Sequence, residues 1–256
     1  MWHGQTVSIV LMTYAERMSI REVIDGFLGT GLVDEVVVVD NNAEHGTVAE
    51  VEQTDARLVF EPQQGYGHAI RRGVMESTGD LIVLAEPDGT FLPSDLTKLL
   101  AYSVDCDAVL GTRTTRELIW RGANMGWFLK WGNWGVAKLV ELLFNTSHLS
   151  DVGCTYRLFR RPLADSLAAK MRVGGNHAGA EILLLTILSS ARWVEIPVNY
   201  LPRVGRSSAT GSPFAASAIG LRMILLILRF RLRSPRRVPR PEVLDTGEPA
   251  APSARR

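Results

Sequence analysis

The chain of 256 residues is 46% hydrophobic and 21% charged, and its formal net charge is only +1. This size and apolar content favour one core domain of roughly 200 residues with short appendages. A net charge so close to zero gives no indication of nucleic-acid binding, so we expect no nucleic-acid partner. The two cysteines, Cys106 and Cys154, form no Cys-x-x-Cys pair. This argues against zinc and redox motifs and favours reduced thiols.

The N-terminus lacks the basic region and apolar run of a signal peptide, so the body of the protein is expected in the cytoplasm. Through residue 110, apolar runs alternate with amphipathic stretches. Strands are predicted at residues 7–12, 36–39, 58–60, 81–85 and 108–110, and helices at 19–28, 66–76 and 92–102. This alternation predicts an α/β domain with a mostly parallel sheet, helices on both faces and right-handed crossovers.

After residue 111 the pattern changes. Four of the six tryptophans, Trp120, Trp127, Trp131 and Trp134, lie close together among lysines and arginines. Such a stretch is typical of an interfacial membrane anchor, with an aromatic core as the alternative. A polar turn is predicted at residues 145–150, a helix at 180–188 and a strand at 193–200.

The last apolar stretch, residues 214–230, would form a helix about 25 Å long, shorter than a hydrocarbon core of about 30 Å. Arg222 and Arg229 share one face of it. We therefore predict a domain at 1–212, an amphipathic membrane-associating helix at 213–233 and a disordered Arg/Pro-rich tail at 234–256. A helix packed on the domain is the alternative. The arginines of the tail favour anionic lipid.

Ligands of open parallel sheets bind at the carboxyl ends of the strands. There the sequence supplies acidic residues and an arginine: Glu16, Asp40, Glu86, Asp88 and Arg113. Glu86 and Asp88, one residue apart, can hold one divalent cation that binds a diphosphate. Pro87 fixes the backbone between them. An ordinary polar turn is the alternative.

Two glycines, Gly65 and Gly67, precede the predicted helix at 66–76. Paired glycines before a helix N-terminus can make room for a phosphate. The full dinucleotide fingerprint is missing, so a tight loop is an equally good interpretation.

Seven short motifs follow one another in the order typical of a known family. They are Thr-Tyr-Ala-Glu at 13–16, Val-Asp-Asn at 39–41, Gly-Tyr-Gly-His-Ala at 65–69, Glu-Pro-Asp-Gly at 86–89, Gly-Thr-Arg at 111–113, Asp-Val-Gly-Cys-Thr-Tyr-Arg at 151–157, and Glu-Ile-Pro-Val at 195–198 followed by Arg-Val-Gly-Arg-Ser at 203–207. Over about residues 6–208 the chain resembles the family-2 inverting glycosyltransferases of the Rossmann-like GT-A fold. It is most similar to the polyprenyl-phosphate enzymes of the dolichol-phosphate-mannose-synthase type.

The resemblance implies a nucleotide-sugar donor, linked to UDP or GDP, and Mg²⁺ or Mn²⁺ as cofactor. Its motifs imply that the donor contacts Thr13, Tyr14, Glu16, Asp40, Gly65, Gly67, Glu86, Pro87, Asp88, Arg113 and Arg203. Asp88 and Glu86 would ligate the metal, and Arg157 would join the arginines at the phosphates. Two residues depart from the family pattern, because Glu86 and Asn41 each stand where the family has Asp.

The resemblance implies a membrane polyprenyl phosphate as the acceptor, with peripheral attachment to the cytoplasmic face of the membrane. A lipid phosphate is already ionised near pH 7, whereas a hydroxyl acceptor requires a general base. Asp151 is the leading candidate base and Glu181 the second, with structural ion pairs as the alternative. A soluble or cell-envelope hydroxyl acceptor, a non-catalytic protein and a homo-oligomer remain open. A nucleotidyltransferase is disfavoured because residues 13–16 lack its glycine-rich loop.

Overall fold

The computed structural model of the chain describes residues 1–123, 127–146, 148–205 and 213–234. Within these residues, the chain forms a central sheet of seven strands in the order β3-β2-β1-β4-β6-β5-β7. The strands are β1 (Val7–Thr13), β2 (Glu35–Asp40), β3 (Arg57–Phe60), β4 (Leu81–Ala85), β5 (Ala108–Thr112), β6 (Arg157–Arg160) and β7 (Trp193–Pro197). The strands pair in parallel except β6, which runs antiparallel between β4 and β5.

Helices cover both faces of the sheet. They are α1 (Ile20–Leu28), α2 (Thr47–Val51), α3 (Tyr66–Glu76), α4 (Leu96–Tyr102), α5 (Trp127–Phe144), α6 (Arg161–Lys170), α7 (Ala178–Leu188) and α8 (Pro213–Arg233). The predicted mostly parallel sheet between helical layers is confirmed. Most of the predicted tail, residues 235–256, lies outside the described residues.

Alternate side chains of each central strand enter two different cores. Val10 and Met12 of β1 pack with helices α3, α5, α6, α7 and α8 on one face. Ile9 and Leu11 pack with α1 and α4 on the other. Both sets are buried, because helices cover both faces of the sheet. A strand in this position is apolar along its whole length.

Three α-helices and one strand were not predicted. Helix α6 begins directly after β6, and its buried residues are mostly alanines, so its apolar pattern is weak. Strand β6 has four residues, and arginines at both of its ends hide the apolar pattern. Helix α2 has five residues and gives little periodic signal. Helix α5 contains three of the four clustered tryptophans, and Trp120 precedes it. It exposes Trp131 and Trp134, whose rings contact each other edge to face at 5.6 Å. These two tryptophans are therefore not part of an aromatic core.

Helix α8 packs on the domain through one face. Ile227 is completely buried, and Met223, Leu226 and Phe230 pack around it. The opposite face exposes Leu221, Leu225, Leu228 and Leu232, which recur at helical spacing. The docking of α8 on α5 and α7 corresponds to the alternative of a helix packed on the domain, and the membrane association of its uncovered apolar stripe stays a prediction. Among the described residues, no helix has the length and apolar character needed to cross a membrane.

Truncating Ile227 tests the docking of α8. Ile227→Ala removes a fully buried side chain, so the free energy of unfolding should fall by about 3 kcal/mol in denaturant titrations. Leu225→Ala is the matched control, since Leu225 is 57% exposed, and its effect should stay within about 0.5 kcal/mol. Equal effects of the two substitutions would contradict the docked helix.

Candidate active site

Three carboxylates meet around one arginine at the carboxyl ends of β1 and β4. Nη2 of Arg203 lies 2.5 Å from Oδ2 of Asp88 and 2.9 Å from Oε2 of Glu86. Nη1 of Arg203 lies 3.6 Å from Oε1 of Glu16. The structure thus brings together four of the predicted site residues, and their formal charges sum to −2.

The turn after β4 fixes Asp88. Gly89 has a φ of 76°, which an L side chain adopts only with strain. The backbone and hydroxyl of Thr90 both donate to Oδ1 of Asp88, at 2.9 and 2.5 Å. The backbone N–H of Val204 donates to the carbonyl of Asp88, which holds the Arg203 segment across the turn.

This cluster fits a divalent cation. Oδ2 of Asp88 is completely buried and, although it lies close to Arg203, it accepts no aligned hydrogen bond. The guanidinium of Arg203 marks where positive charge is favourable, and carboxylate oxygens are suitable ligands for Mg²⁺ or Mn²⁺. In the described part of the chain, no three His, Cys, Asp or Glu side chains are placed so that they could hold one metal ion together, so Asp88 and Glu86 would hold an ion that also binds diphosphate or water.

Glu86 is the most perturbed carboxyl of the cluster. Burial, and then the neighbouring charge of Asp88, raise the pKa of Glu86 to about 8. Two carboxylates this close cannot both ionise cheaply, and Arg203 offsets the repulsion only in part. The pair therefore favours binding of an additional cation.

Arg113 reaches the same rim through a buried ion pair. Its Nε and Nη2 atoms donate to Oδ2 and Oδ1 of Asp151 at 2.8 and 3.0 Å. Its guanidinium also lies over the ring of Tyr200, 5.2 Å from the centroid. The side chain of Arg113 is still 13% exposed, which leaves it able to meet a ligand.

The carboxylate of Asp151 is occupied by its ion pair with Arg113. Its side chain is fully buried, and it also accepts hydrogen bonds from the backbones of Arg113 and Gly153. Burial would raise the pKa of Asp151, but the charge and hydrogen bonds of Arg113 outweigh it and hold the pKa below its usual value. The geometry favours the structural ion pair over the general base.

Glu181, the second candidate base, also has a structural arrangement. It is buried in α7 and accepts three hydrogen bonds from the backbone N–H groups of Arg172 and Val173. These bonds fix the loop before α7.

The side chain of Arg157 is used in structural hydrogen bonds and not in the predicted contact with the donor phosphates. It is 2% exposed, and its guanidinium donates to the carbonyls of Val152, Cys154 and Gly179. It joins the loop before β6 to α7, so the structure assigns it packing rather than phosphate contact. The motif predicted an arginine near the site, but not the inward direction of its side chain.

At the end of β2, Asn41 lies closer to the site than Asp40. Asp40 accepts a hydrogen bond from the backbone of Ala43 at 2.8 Å. Asn41 is buried and lines the cavity described below, where its amide binds the carbonyls of Glu61 and Gln63 and the N–H of Gly65. In this role an amide serves better than the Asp of the family pattern, since it both donates and accepts.

Gly65 and Gly67 allow two loops to pack closely. A side chain at either position would collide with the backbone of Val173 or Gly174. The backbone N–H of Gly67 donates to the carbonyl of Gly174 at 2.8 Å. Close packing thus accounts for both glycines, while Gly65 also borders the cavity.

A cavity of about 820 Å³ extends from the carboxylate cluster to the surface between α5 and α8. One end is polar and charged, and is lined by Thr13, Tyr14, Glu16, Asn41, Glu86, Pro87, Arg113 and Arg203. The other end is mainly apolar, and is lined by Ala69, Trp131, Val136, Leu139, Ile219, Leu221, Met223 and Ile224. Trp131 and Leu221 are both exposed, so this end opens at the surface.

Several lining residues were missed from sequence. Tyr200 follows β7, and the strand-end rule would have found it. Tyr66 and Thr155 lie inside recognised motifs, but their types carry no obvious chemical signal. No sequence pattern predicted that residues of α5 and α8 line the cavity, because this part of its wall exists only when the two helices pack together.

The model of glycosyl transferase family 2 matches residues 8–167. The chain belongs to this family. The prediction of a glycosyltransferase is thereby confirmed.

Characterised and uncharacterised relatives of this family-2 glycosyltransferase cover most of its length. An uncharacterized glycosyltransferase of Mycobacterium tuberculosis is 28% identical over 223 residues, which are 85% of this chain and 95% of the relative. A dolichyl-phosphate hexose transferase of Haloferax volcanii is 29% identical over 230 residues, 89% of this chain and 96% of the relative.

Solved structures confirm the fold of this glycosyltransferase. Glucosyl-3-phosphoglycerate synthase of M. tuberculosis, crystallised with Mn²⁺, UDP and phosphoglyceric acid, superposes with a TM-score of 0.67 at 20% identity. That match covers 91% of this chain and 80% of the synthase. A mycobacterial protein gives a TM-score of 0.70 at 20% identity, over 91% of this chain and 76% of that one.

Asp151→Asn separates the two roles of Asp151 in this glycosyltransferase. It leaves the charge of Arg113 buried without a partner, so the free energy of unfolding at pH 7 should fall by about 3 kcal/mol. The pKa of Asp151 is lower in the folded protein than in the unfolded chain. The ion pair therefore contributes its full stabilisation above the unfolded pKa of about 3.9, and this contribution is lost as the pH falls through the folded-state pKa. The difference from wild type, measured by denaturant unfolding, should therefore shrink in acid.

The control is Asp165→Asn, because Asp165 is 57% exposed and lies 3.3 Å from Arg161. Its effect on stability should stay within about 0.5 kcal/mol. Unchanged stability of Asp151→Asn together with lost turnover would instead identify Asp151 as the base.

Proposed function

We propose that this glycosyltransferase transfers a hexose, with inversion, from a UDP- or GDP-sugar to a polyprenyl phosphate in the membrane. The observation that carries the proposal is the single cavity that joins a cationic and carboxylate-lined end to an exposed apolar opening. A polyprenyl phosphate has the same division, with an anionic head and a hydrocarbon chain.

The polar end suits the donor. Arg113 and Arg203 both line it, and arginine binds phosphate bidentately while keeping its charge. Asp88 and Glu86 would hold Mg²⁺ or Mn²⁺, which when bound neutralises charge on the leaving diphosphate. Arg203 already contacts both carboxylates and can exchange them for a phosphate oxygen when the charge balance changes.

The apolar end suits a hydrocarbon chain. Val136 and Leu139 of α5 face Met223 and Ile224 of α8 across it. Three lining glycines, Gly132, Gly135 and Gly220, have no atom within 4 Å of the place where a side chain would begin. The wall between the two helices is therefore open enough to admit a chain from the side.

The acidic residues around the cavity favour an acceptor that is already ionised. Asp151 and Glu181 are used in buried structural contacts. Among the described residues that line the cavity, the acids are Glu16 and Glu86, and both contact Arg203. The reaction requires no base when a phosphate oxyanion attacks the anomeric carbon. The new C–O bond forms as the bond to the diphosphate breaks, and the electron pair leaves with the diphosphate.

The surface around the opening supports peripheral contact with a membrane, which we propose is the cytoplasmic face. The exposed leucines of α8 run beside Arg222, Arg229 and Arg233, which are also exposed. Trp131 and Trp134 are exposed on the neighbouring α5. Apolar, aromatic and cationic side chains together favour the interface of an anionic bilayer. The name of the H. volcanii relative, a dolichyl-phosphate hexose transferase, is in keeping with this acceptor.

A transfer assay tests the acceptor. The full chain is incubated with Mn²⁺, radiolabelled UDP-glucose or GDP-mannose, and anionic vesicles that contain undecaprenyl phosphate, followed by organic extraction. We expect the label in the organic phase, and much less with vesicles that contain undecaprenol, whose hydroxyl requires a base. Label confined to the aqueous phase, or faster transfer to 3-phosphoglycerate supplied in a parallel reaction without vesicles, would overturn the lipid acceptor.

A size series at Gly135 tests the apolar passage. Gly135→Leu fills the opening and should lower kcat/KM for undecaprenyl phosphate at least tenfold, while a phosphate with a short prenyl chain keeps most of its rate. Gly135→Ala, which adds one carbon in open space, is the matched control and should retain activity with both acceptors.

Stability serves as the second readout. Replacing a glycine within a helix removes a cost of about 1 kcal/mol, so neither variant should lose thermal stability. Equal loss of rate with long and short acceptors would contradict the passage.

A further inference from the structure

Two hydroxyls in the wall of the cavity have no hydrogen-bond partner. They belong to Tyr66, the first residue of α3, and to Thr155, in the loop before β6. Both residues line the cavity, and both hydroxyl oxygens are shielded from solvent. The two hydroxyls are close enough to influence each other, but they do not align as a hydrogen bond.

Their place in the cavity is between its two ends. On the charged side, Glu86 and Asp88 act on the Tyr66 hydroxyl through their charges. On the apolar side, Ala69 lies one helical turn along α3, and Tyr66 itself packs against the buried core of that face. Burial is the first cause that raises the pKa of Tyr66 well above its usual value, so the phenol keeps its proton and can donate.

An unpaired buried hydroxyl costs about 1–3 kcal/mol. Tyr66 and Thr155 differ from the unpaired Tyr156 because they also line the cavity, where a ligand can supply the missing partner. In the proposed function the arginines bind the diphosphate and the carboxylates hold the cation, so a neutral pair of hydroxyls beside them matches neutral polar groups of the ligand. In a nucleotide sugar, the hydroxyls of the ribose and of the transferred sugar flank the diphosphate, and the transferred sugar lies on the side of the acceptor.

We propose that Tyr66 and Thr155 hydrogen-bond the ring hydroxyls of the donor sugar and thereby select which sugar is transferred. This inference rests on the nucleotide-sugar donor of the proposed function, but not on the identity of the acceptor. A site built to bond a hydroxyl rejects a sugar that cannot present it, because its own polar groups then stay buried and unpaired.

The test measures donor affinity without any acceptor. The dissociation constants of UDP, UDP-glucose, UDP-galactose, GDP and GDP-mannose are determined by calorimetry with Mn²⁺ on the full chain. Wild type should prefer one sugar over the others. Tyr66→Phe and Thr155→Val, which keep size and remove the hydroxyl, should each reduce that preference about tenfold and leave the affinity for UDP and GDP unchanged.

Thermal stability separates ligand recognition from a structural role. Removing an unpaired buried hydroxyl should leave the melting temperature of the free protein unchanged or raise it. The matched control is Tyr156→Phe. The Tyr156 hydroxyl is also buried and unpaired, but its ring is packed against Phe27 and Phe91 in the opposite core, away from the cavity. This control should retain the sugar preference of wild type.

The outcomes are distinct. A wild-type protein without preference among the sugars would overturn the inference, and so would substitutions that leave the preference intact or weaken UDP and sugar-nucleotide binding equally. A failed lipid assay with intact sugar selection would overturn only the proposed acceptor. Failure of every nucleotide to bind would overturn the donor and this inference together.

Discussion

The site depends on an imbalance of charge at one edge of the sheet. Three carboxylates, Glu16, Glu86 and Asp88, surround the single guanidinium of Arg203 in a partly buried place where water screens poorly. Parallel strands bring their carboxyl ends to the same edge, so the imbalance is a result of topology. Burial first, and then the neighbouring charge of Asp88, raise the pKa of Glu86. A site of this kind favours an added cation and, through it, the anionic part of a ligand.

A second set of buried polar groups holds the loops around that edge. Glu195 of β7 accepts hydrogen bonds from the backbones of Ser150 and Asp151, and Asp151 in turn orients Arg113. Glu181 and Arg157 bind loop backbone in the same manner. Removing one member would leave its partner buried and unpaired, which is costly. Residues that suggest acid–base chemistry by type thus serve here to position the groups that face the cavity.

Helices α5 and α8 add a wall to this edge and turn it into a cavity that opens at the surface. Helix α8 uses Ile227 and its neighbours to dock on α5 and α7, while its glycine and the glycines of α5 leave the wall between the helices open. One end of the cavity is therefore electrostatic and the other hydrophobic. The exposed leucines of α8 extend the apolar end of the cavity onto the surface. The packing of α8 therefore shapes both the cavity and the surface that we propose contacts the membrane.

The layered fold and the location of the charged cluster could be predicted from sequence, because buried strands are apolar throughout and their polar ends must share one edge. Asp88, Glu86, Glu16 and Arg113 could be found in this way. The direction of side chains within the motifs could not be predicted, because it depends on the folded structure. Arg157 and Asp151 turn inward to satisfy buried partners, and the hydroxyls of Tyr66 and Thr155, two residues that line the cavity, are buried without a partner. Whether a buried polar group finds a hydrogen-bond partner depends on residues far apart in the chain, so local sequence patterns do not predict it.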